Sequence, residues 1–172
     1  MASIFGHSIV AFTISKAINN KHSKPLVLLA IVSSILPDLD IVSFSLGIPY
    51  EHPFGHRGFL HSIIFAILWA LLIMVFVAKK NKLIWFFVIF LSTVSHGILD
   101  AMTSGGRGVG FFIPLNNDRY FFPFRGIKVS PIGIKDFFSE WGIHVILSEL
   151  KYIVVPCIIV LLILKLIRKR FK

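Results

Sequence analysis

The chain has 172 residues, of which 56% are hydrophobic and only 15% charged, against about 25% charged in an average soluble domain. That balance, with 18 Phe, excludes disorder, a coiled coil and a nucleic-acid-binding tail, and argues against a water-soluble domain. The net charge of +10 does not point to nucleic acid, because the basic residues fall largely at the ends of apolar runs, where anionic lipid headgroups lie.

The length suits a single membrane-embedded domain over residues 1–172, and the lone Cys157 excludes an internal disulfide framework or a Cys-rich zinc site. Ala2 to Ser15 and Pro25 to Pro37 are apolar but short of the ~20 residues a spanning helix needs. A basic linker, Lys16 to Lys24, joins them, so they are expected to enter the bilayer as a helical hairpin. Phe59 to Ala78 carries no formal charge over 20 residues and is the clearest expected span. The turn Lys79, Lys80, Lys82 leads into a second span, Leu83 to Met102, interrupted by His96 and Asp100. Thr103 to Lys151 reads as a long irregular outer loop, with Gly105-Gly106, Pro114, Pro123, Pro131 and the aromatic run Tyr120-Phe121-Phe122. Tyr152 to Leu164 is a short third span between Lys151 and Lys165. The expected fold is an all-α polytopic bundle of about five membrane-associated helices.

The positive-inside rule orients it. With the 79–82 turn in the cytoplasm, eleven of the 18 basic residues fall inside: 16, 21, 24, 79, 80, 82, 165, 168, 169, 170 and 172. All eight acidic residues fall outside, which a functional site on the outer face would explain.

His7, Asp38, Asp40, His56, His61, His96 and Asp100 come from four helix ends that this topology gathers at the outer face. His96 and Asp100 are spaced i, i+4, so they share a helix face and can grip one ion. A lone HxxxD is more simply a histidine held by its own carboxylate. An aspartate inside an apolar span, however, costs about 2.5–3.5 kcal/mol on insertion scales and marks a functional site. Asp38 and Asp40, two apart after Pro37, cannot share a helix face. Seven such groups exceed the three protein ligands of a catalytic zinc, which points to one or two divalent ions, zinc first and Mn or Mg otherwise. Arg57 and Arg119 offer planar forks of donors for a substrate phosphate. Asp38, Asp40, His61, His96 and Asp100 are the core ligands expected, with His7 and His56 as further ligands or orienting groups. Asp40, His56, Arg57 and Arg119 are expected to take part in catalysis.

Gly6-His7, Leu36-Pro37-Asp38-Leu39-Asp40, Gly55-His56-Arg57-Gly58-Phe59-Leu60-His61-Ser62 and Ser95-His96-Gly97-Ile98-Leu99-Asp100-Ala101-Met102-Thr103 together resemble the YdjM-type family of membrane-bound metal-dependent hydrolases. The pattern of that family is H…PDxD…HRGxTHS…HxxxDxxT, and Leu60 stands where it usually has Thr. The resemblance covers about residues 6–149, and the family is more distantly similar to helical zinc phospholipases C and P1-type nucleases. It implies a hydrolase but supplies no substrate; the site and topology themselves lead us to expect a phosphoester of a membrane lipid or lipid-linked substrate, at the outer face of the cell membrane. The family is also described as binding the LexA repressor, a link that nothing in these residues supports; no direct nucleic-acid partner is expected. Two rival readings differ in class. One is a metal or proton transporter, which would carry polar residues at several depths. The other is a regulatory membrane protein whose metal site is closed and structural.

Overall fold

The computed structural model describes residues 1–18 and 23–170. Lys21 and Lys172, expected on the inner side, lie outside those residues. Helix α1 (Ile4–Ile18) is followed by α2 (Lys24–Ile35), which runs on through a 3₁₀ segment, Leu36–Ile41, into the single turn α3 (Val42–Ser45). After a loop and a 3₁₀ turn, Phe59–His61, come α4 (Ile63–Phe76) and α5 (Lys82–Ala101). A long segment then leads to the one-turn α6 (Ile134–Phe137) and to α7 (Glu140–Glu149). A π-helical turn, Leu150–Val154, joins α7 to α8 (Val155–Arg170). No strand is present among the described residues, only two isolated bridges, Thr103 with Ile127 and Val109 with Tyr120.

Three continuous helical stretches, Lys24–Ser45, Lys82–Ala101 and Glu140–Arg170, are long and apolar enough to cross a membrane. α1 and α4 are shorter apolar helices, which gives five membrane-associated elements. α5 is the axis, packed against α1, α2 and α4. Ala11, Ala30 and Ala70 let these backbones approach closely, as small residues do at helix interfaces in lipid. Leu26, Ile73, Val88 and Ile89 fill the space between them. Trp69 Nε1 donates to Ser33 Oγ at 2.9 Å, so the one polar group of that side chain is satisfied within the bundle. α8 leans on α1 and leaves Ile158, Val160, Leu162 and Ile163 exposed to the surroundings.

The segregation of charge has a structural counterpart. Arg168 Nη2 donates to the carbonyls of Lys16 and Ala17 at 2.9 and 3.0 Å, satisfying orphan acceptors at the end of α1. The C-terminal basic cluster therefore shares one end of the bundle with Lys16. Lys79 and Lys80 line a depression there together with Ser23 and Pro25. The opposite end holds the start of α1, the 3₁₀ segment after α2, the turn before α4 and the end of α5.

Four expected boundaries change. The Phe59–Ala78 span shortens to α4, because residues 59–61 form a separate turn and Ser62 restarts the helix, its side chain accepting from the Phe65 amide at 3.1 Å. The second helix does not stop at Pro37. Proline sits in the first turn of the 3₁₀ segment, where a missing N–H is no loss, and the chain continues to Ser45. The irregular outer loop ends near residue 133 rather than 151, and the expected span Tyr152–Leu164 is the later part of a 31-residue helix starting at Glu140. The charges at 149 and 151 suggest a membrane boundary in the sequence. Instead Glu149 is turned inward and accepts from Ser3, while Lys151 lies over the Tyr152 ring, so neither breaks the helix.

Candidate metal centre

The 3₁₀ geometry of Leu36–Ile41 decides where the two aspartates go. At about three residues per turn, positions two apart diverge by roughly a third of a turn. Asp38 and Asp40 accordingly stand on either side of His61. Asp38 Oδ1 is 4.0 Å from His61 Nε2, and Asp40 Oδ2 is 3.0 Å from His61 Nδ1. Asp40 also accepts from the Arg57 amide at 2.8 Å, and its other oxygen is 2.6 Å from His56 Nδ1. Its capacity is filled by orienting neighbours.

On α5 the i, i+4 pair behaves as its spacing requires. His96 and Asp100 are both fully buried and point to the same side. His96 Nδ1 is 2.7 Å from the Ser34 carbonyl, one of the orphan acceptors at the end of α2, which can only be met if that nitrogen carries the proton. Nδ1 of His61 faces a carboxylate and must carry its proton for the same reason. Both rings then turn Nε2 inward, and the two Nε2 atoms stand 3.0 Å apart. His96 Nε2 is 3.2 Å from Asp38 Oδ1, and His61 Nε2 is 3.7 Å from Asp100 Oδ2.

Asp38, His61, His96 and Asp100 thus offer one ligand atom each, all within 4.8 Å of one another. Three of them are buried, and Asp38 keeps 11% of its side chain exposed. Asp38 Oδ1 and Asp100 Oδ2 are buried oxygens that accept no hydrogen bond. The Arg57 guanidinium, 2.9 Å from Asp100 Oδ2, offsets part of the charge that two imidazole nitrogens and two carboxylate oxygens gather here, and a metal ion or a proton among them would offset more. Two nitrogens and two oxygens are also a fitting donor set for zinc. This is the one such group found among the described residues.

The other expected residues are placed around it. The His7 ring stacks on His96 at 3.8 Å between centroids, and its Nε2 is 3.5 Å from Asp100 Oδ1, which makes it a further imidazole beside the cluster. His56 lies on the far side of Asp40, packed on Phe44 and Tyr50. Arg57 is fully buried. Its Nε is 2.9 Å from Asp100 Oδ2, and it donates to the Gly105 carbonyl and to Thr103 Oγ1 at 3.1 and 3.2 Å. Its backbone is in the left-handed region, φ 59°, which costs about 1 kcal/mol for a residue with a side chain. Gly58, next in sequence, has the Pro53 carbonyl 2.2 Å from where a Cβ would sit, so the turn admits no side chain. Arg119 donates to the carbonyls of His56, Tyr50 and His52 and lies 5.2 Å over the Tyr50 ring. Both arginines, expected to present their forks to a phosphate, are committed to the protein: Arg57 to Asp100 and the 103–105 turn, Arg119 to the 50–56 loop. Burial pushes the Tyr50 phenol up, so it stays protonated and donates to the Gly108 carbonyl.

Several groups at the site carry little signal in the sequence. The Ser34 carbonyl and the Ala2 amide, which donates to Asp100 Oδ1 at 2.8 Å, are backbone atoms. Thr103 Oγ1 donates to the Asp100 carbonyl at 2.7 Å, and its place three residues after that aspartate is the signal that could have found it. Glu149, whose carboxylate accepts from Ser3, reads in the sequence only as an outer acidic residue.

The fold and this cluster define a helical membrane protein with a buried His/Asp centre able to hold a metal ion. The profile of the family described as YdjM inner membrane protein matches residues 1–171, and the chain belongs to that family. It is 38% identical over 162 residues to the inner membrane protein YbcI of Escherichia coli (strain K12), covering 91% of this chain and 92% of that protein. No solved structure matches.

Proposed function

We propose that the chain is a metal-dependent hydrolase that cleaves a phosphoester of a lipid or lipid-linked substrate at the outer membrane face. The convergence of Asp38, His61, His96 and Asp100 within 4.8 Å supports the reading most directly. A bound divalent ion, zinc by this donor set, would polarise the phosphoryl oxygen and lower the pKa of a bound water. The chain's own residues prepare for that. Asp40 and the Ser34 carbonyl hold His61 and His96 with Nε2 inward. Arg57 fixes the Asp100 carboxylate. His7 Nε2 is the atom placed to accept a proton beside the cluster.

A second reading is a regulatory protein with a structural metal. The burial of three of the four ligands and the commitment of both arginines to the protein favour it. Transport is the weaker rival, because among the described residues the core away from the site is Ala, Leu, Ile and Val with a few Ser and Thr, and no buried charged or histidine side chain lies there. The deciding experiment is metal analysis of the detergent-purified protein beside hydrolysis of a panel of phospholipids and lipid phosphates. Bound metal with turnover that depends on it supports the hydrolase. Tight metal with no cleavage anywhere on the panel establishes the structural reading instead.

A further inference from the structure

A cavity of about 360 Å³ lies against the metal centre, within the range of small-ligand sites. Its walls are the residues before and at the start of α1, Ile41, residues 130–133, and Phe137 and Phe138. One of these walls touches the centre directly: Ala2 gives its amide to Asp100 Oδ1, while Ile41 follows Asp40 in the chain. The mouth is apolar and open: Phe5 is 64% exposed and Ile132 53%. Phe5 and Phe137 pack at 6.3 Å and form one side of it.

We propose that this cavity holds an acyl chain of a membrane lipid whose headgroup is presented to the metal centre. The proposal rests on the hydrolase reading and names how its substrate is held. Three observations choose hydrocarbon over a peptide or a second copy of the chain. The lining side chains carry no charge, and the charged group in the wall, the Met1 ammonium, is 3.9 Å from the Asp100 carboxylate. Three backbone donors in its wall are already used: Ser130 donates to the Met1 carbonyl at 2.8 Å, Ala2 to Asp100 and Ser3 to Glu149. A peptide would bring a run of amides and carbonyls against mostly apolar side chains, whereas a methylene chain needs no polar partner. The mouth also lies at the start of α1, an apolar helix, where Ile4 and Phe5 are exposed.

The test uses the whole protein in nanodiscs of phosphatidylglycerol bearing a diazirine along one acyl chain. Photolysis and peptide mapping locate the adducts. They are expected at Phe5, Ile41, Ile132 and Phe137 in excess over the lipid-facing Leu162 of α8. Ile132→Trp, which fills the mouth, should reduce the cavity adducts several-fold and leave adducts at Leu162 and the metal content unchanged. Phe137→Ala, which widens the cavity, serves as the second variant and should retain or increase them. Equal labelling of the cavity and of Leu162, or labelling indifferent to both variants, overturns the proposal. Because the readout needs no turnover, a protein that binds the chain yet cleaves nothing defeats the hydrolase reading alone. A protein that cleaves soluble phosphodiesters without cavity labelling defeats this proposal alone.

Discussion

The Nε2 atoms of His61 and His96 face each other at 3.0 Å, each ring having its other nitrogen turned to an acceptor. Two neutral imidazoles cannot rest in that arrangement with both lone pairs exposed to one another. The contact suits a pair that shares a proton or a metal ion, and the carboxylates of Asp38 and Asp100 stand where they would complete the shell of an ion.

Purified protein should therefore retain a divalent metal, and Ala at any of Asp38, His61, His96 or Asp100 should strip most of it. Elemental analysis after gel filtration measures this. Full occupancy in Asp100→Ala, which removes a fully buried carboxylate, would show that the ion is held by other residues. That variant should also be destabilised, because the buried Arg57 guanidinium loses the carboxylate that compensates it.

Asp40 is expected to act on the metal through His61. Asp40→Asn keeps the shape but weakens the hold on Nδ1, and loss of such an orienting group typically lowers metal affinity about 10–100-fold. Competition with a chelator reads the change. An affinity loss as complete as that of His61→Ala would make Asp40 a direct ligand.

Arg57→Ala should be destabilising more than substrate-selective. Removing one partner of a buried ion pair costs roughly 3–5 kcal/mol, because the Asp100 carboxylate is left uncompensated. The loss should be smaller in the metal-loaded protein, where a cation still neutralises that charge. Thermal unfolding in detergent, with and without added zinc, separates the two cases. A variant with wild-type stability in both would show that the pair contributes little.

Acidification should release the metal. His61 and His96 bind only through a deprotonated Nε2, so protons compete with the ion and retention falls as pH falls. Metal content after dialysis across a pH series checks the sign. Retention indifferent to pH through the range where imidazoles titrate would mean that carboxylates alone hold the ion.

Orientation is testable at two loops. In a Cys157→Ser background, a cysteine at Asn116 should react with an impermeant reagent from outside intact cells, and one at Asn81 should not. The reverse pattern would move the centre, and any substrate, to the cytoplasmic side.

What the sequence determined by itself is what short-range periodicity and composition control. Apolar length identified the membrane class, basic residues marked one end of the helices, and i, i+4 spacing put His96 and Asp100 on one face. The motif His56 to Ser62 located the turn that brings His61 to the cluster. Only the tertiary structure decided which groups meet. Asp38 and Asp40 look equivalent in the sequence, yet the 3₁₀ turn sends one to His96 and the other behind His61. Arg57 resembles a surface anion binder until its left-handed backbone turns it inward onto Asp100. The helix from Glu140 was hidden because Glu149 reads as a boundary until Ser3, 146 residues away, satisfies it. Local pattern reports the backbone state of neighbouring residues. The direction of a charged side chain is settled by distant donors and acceptors, many of them backbone atoms that carry no residue identity.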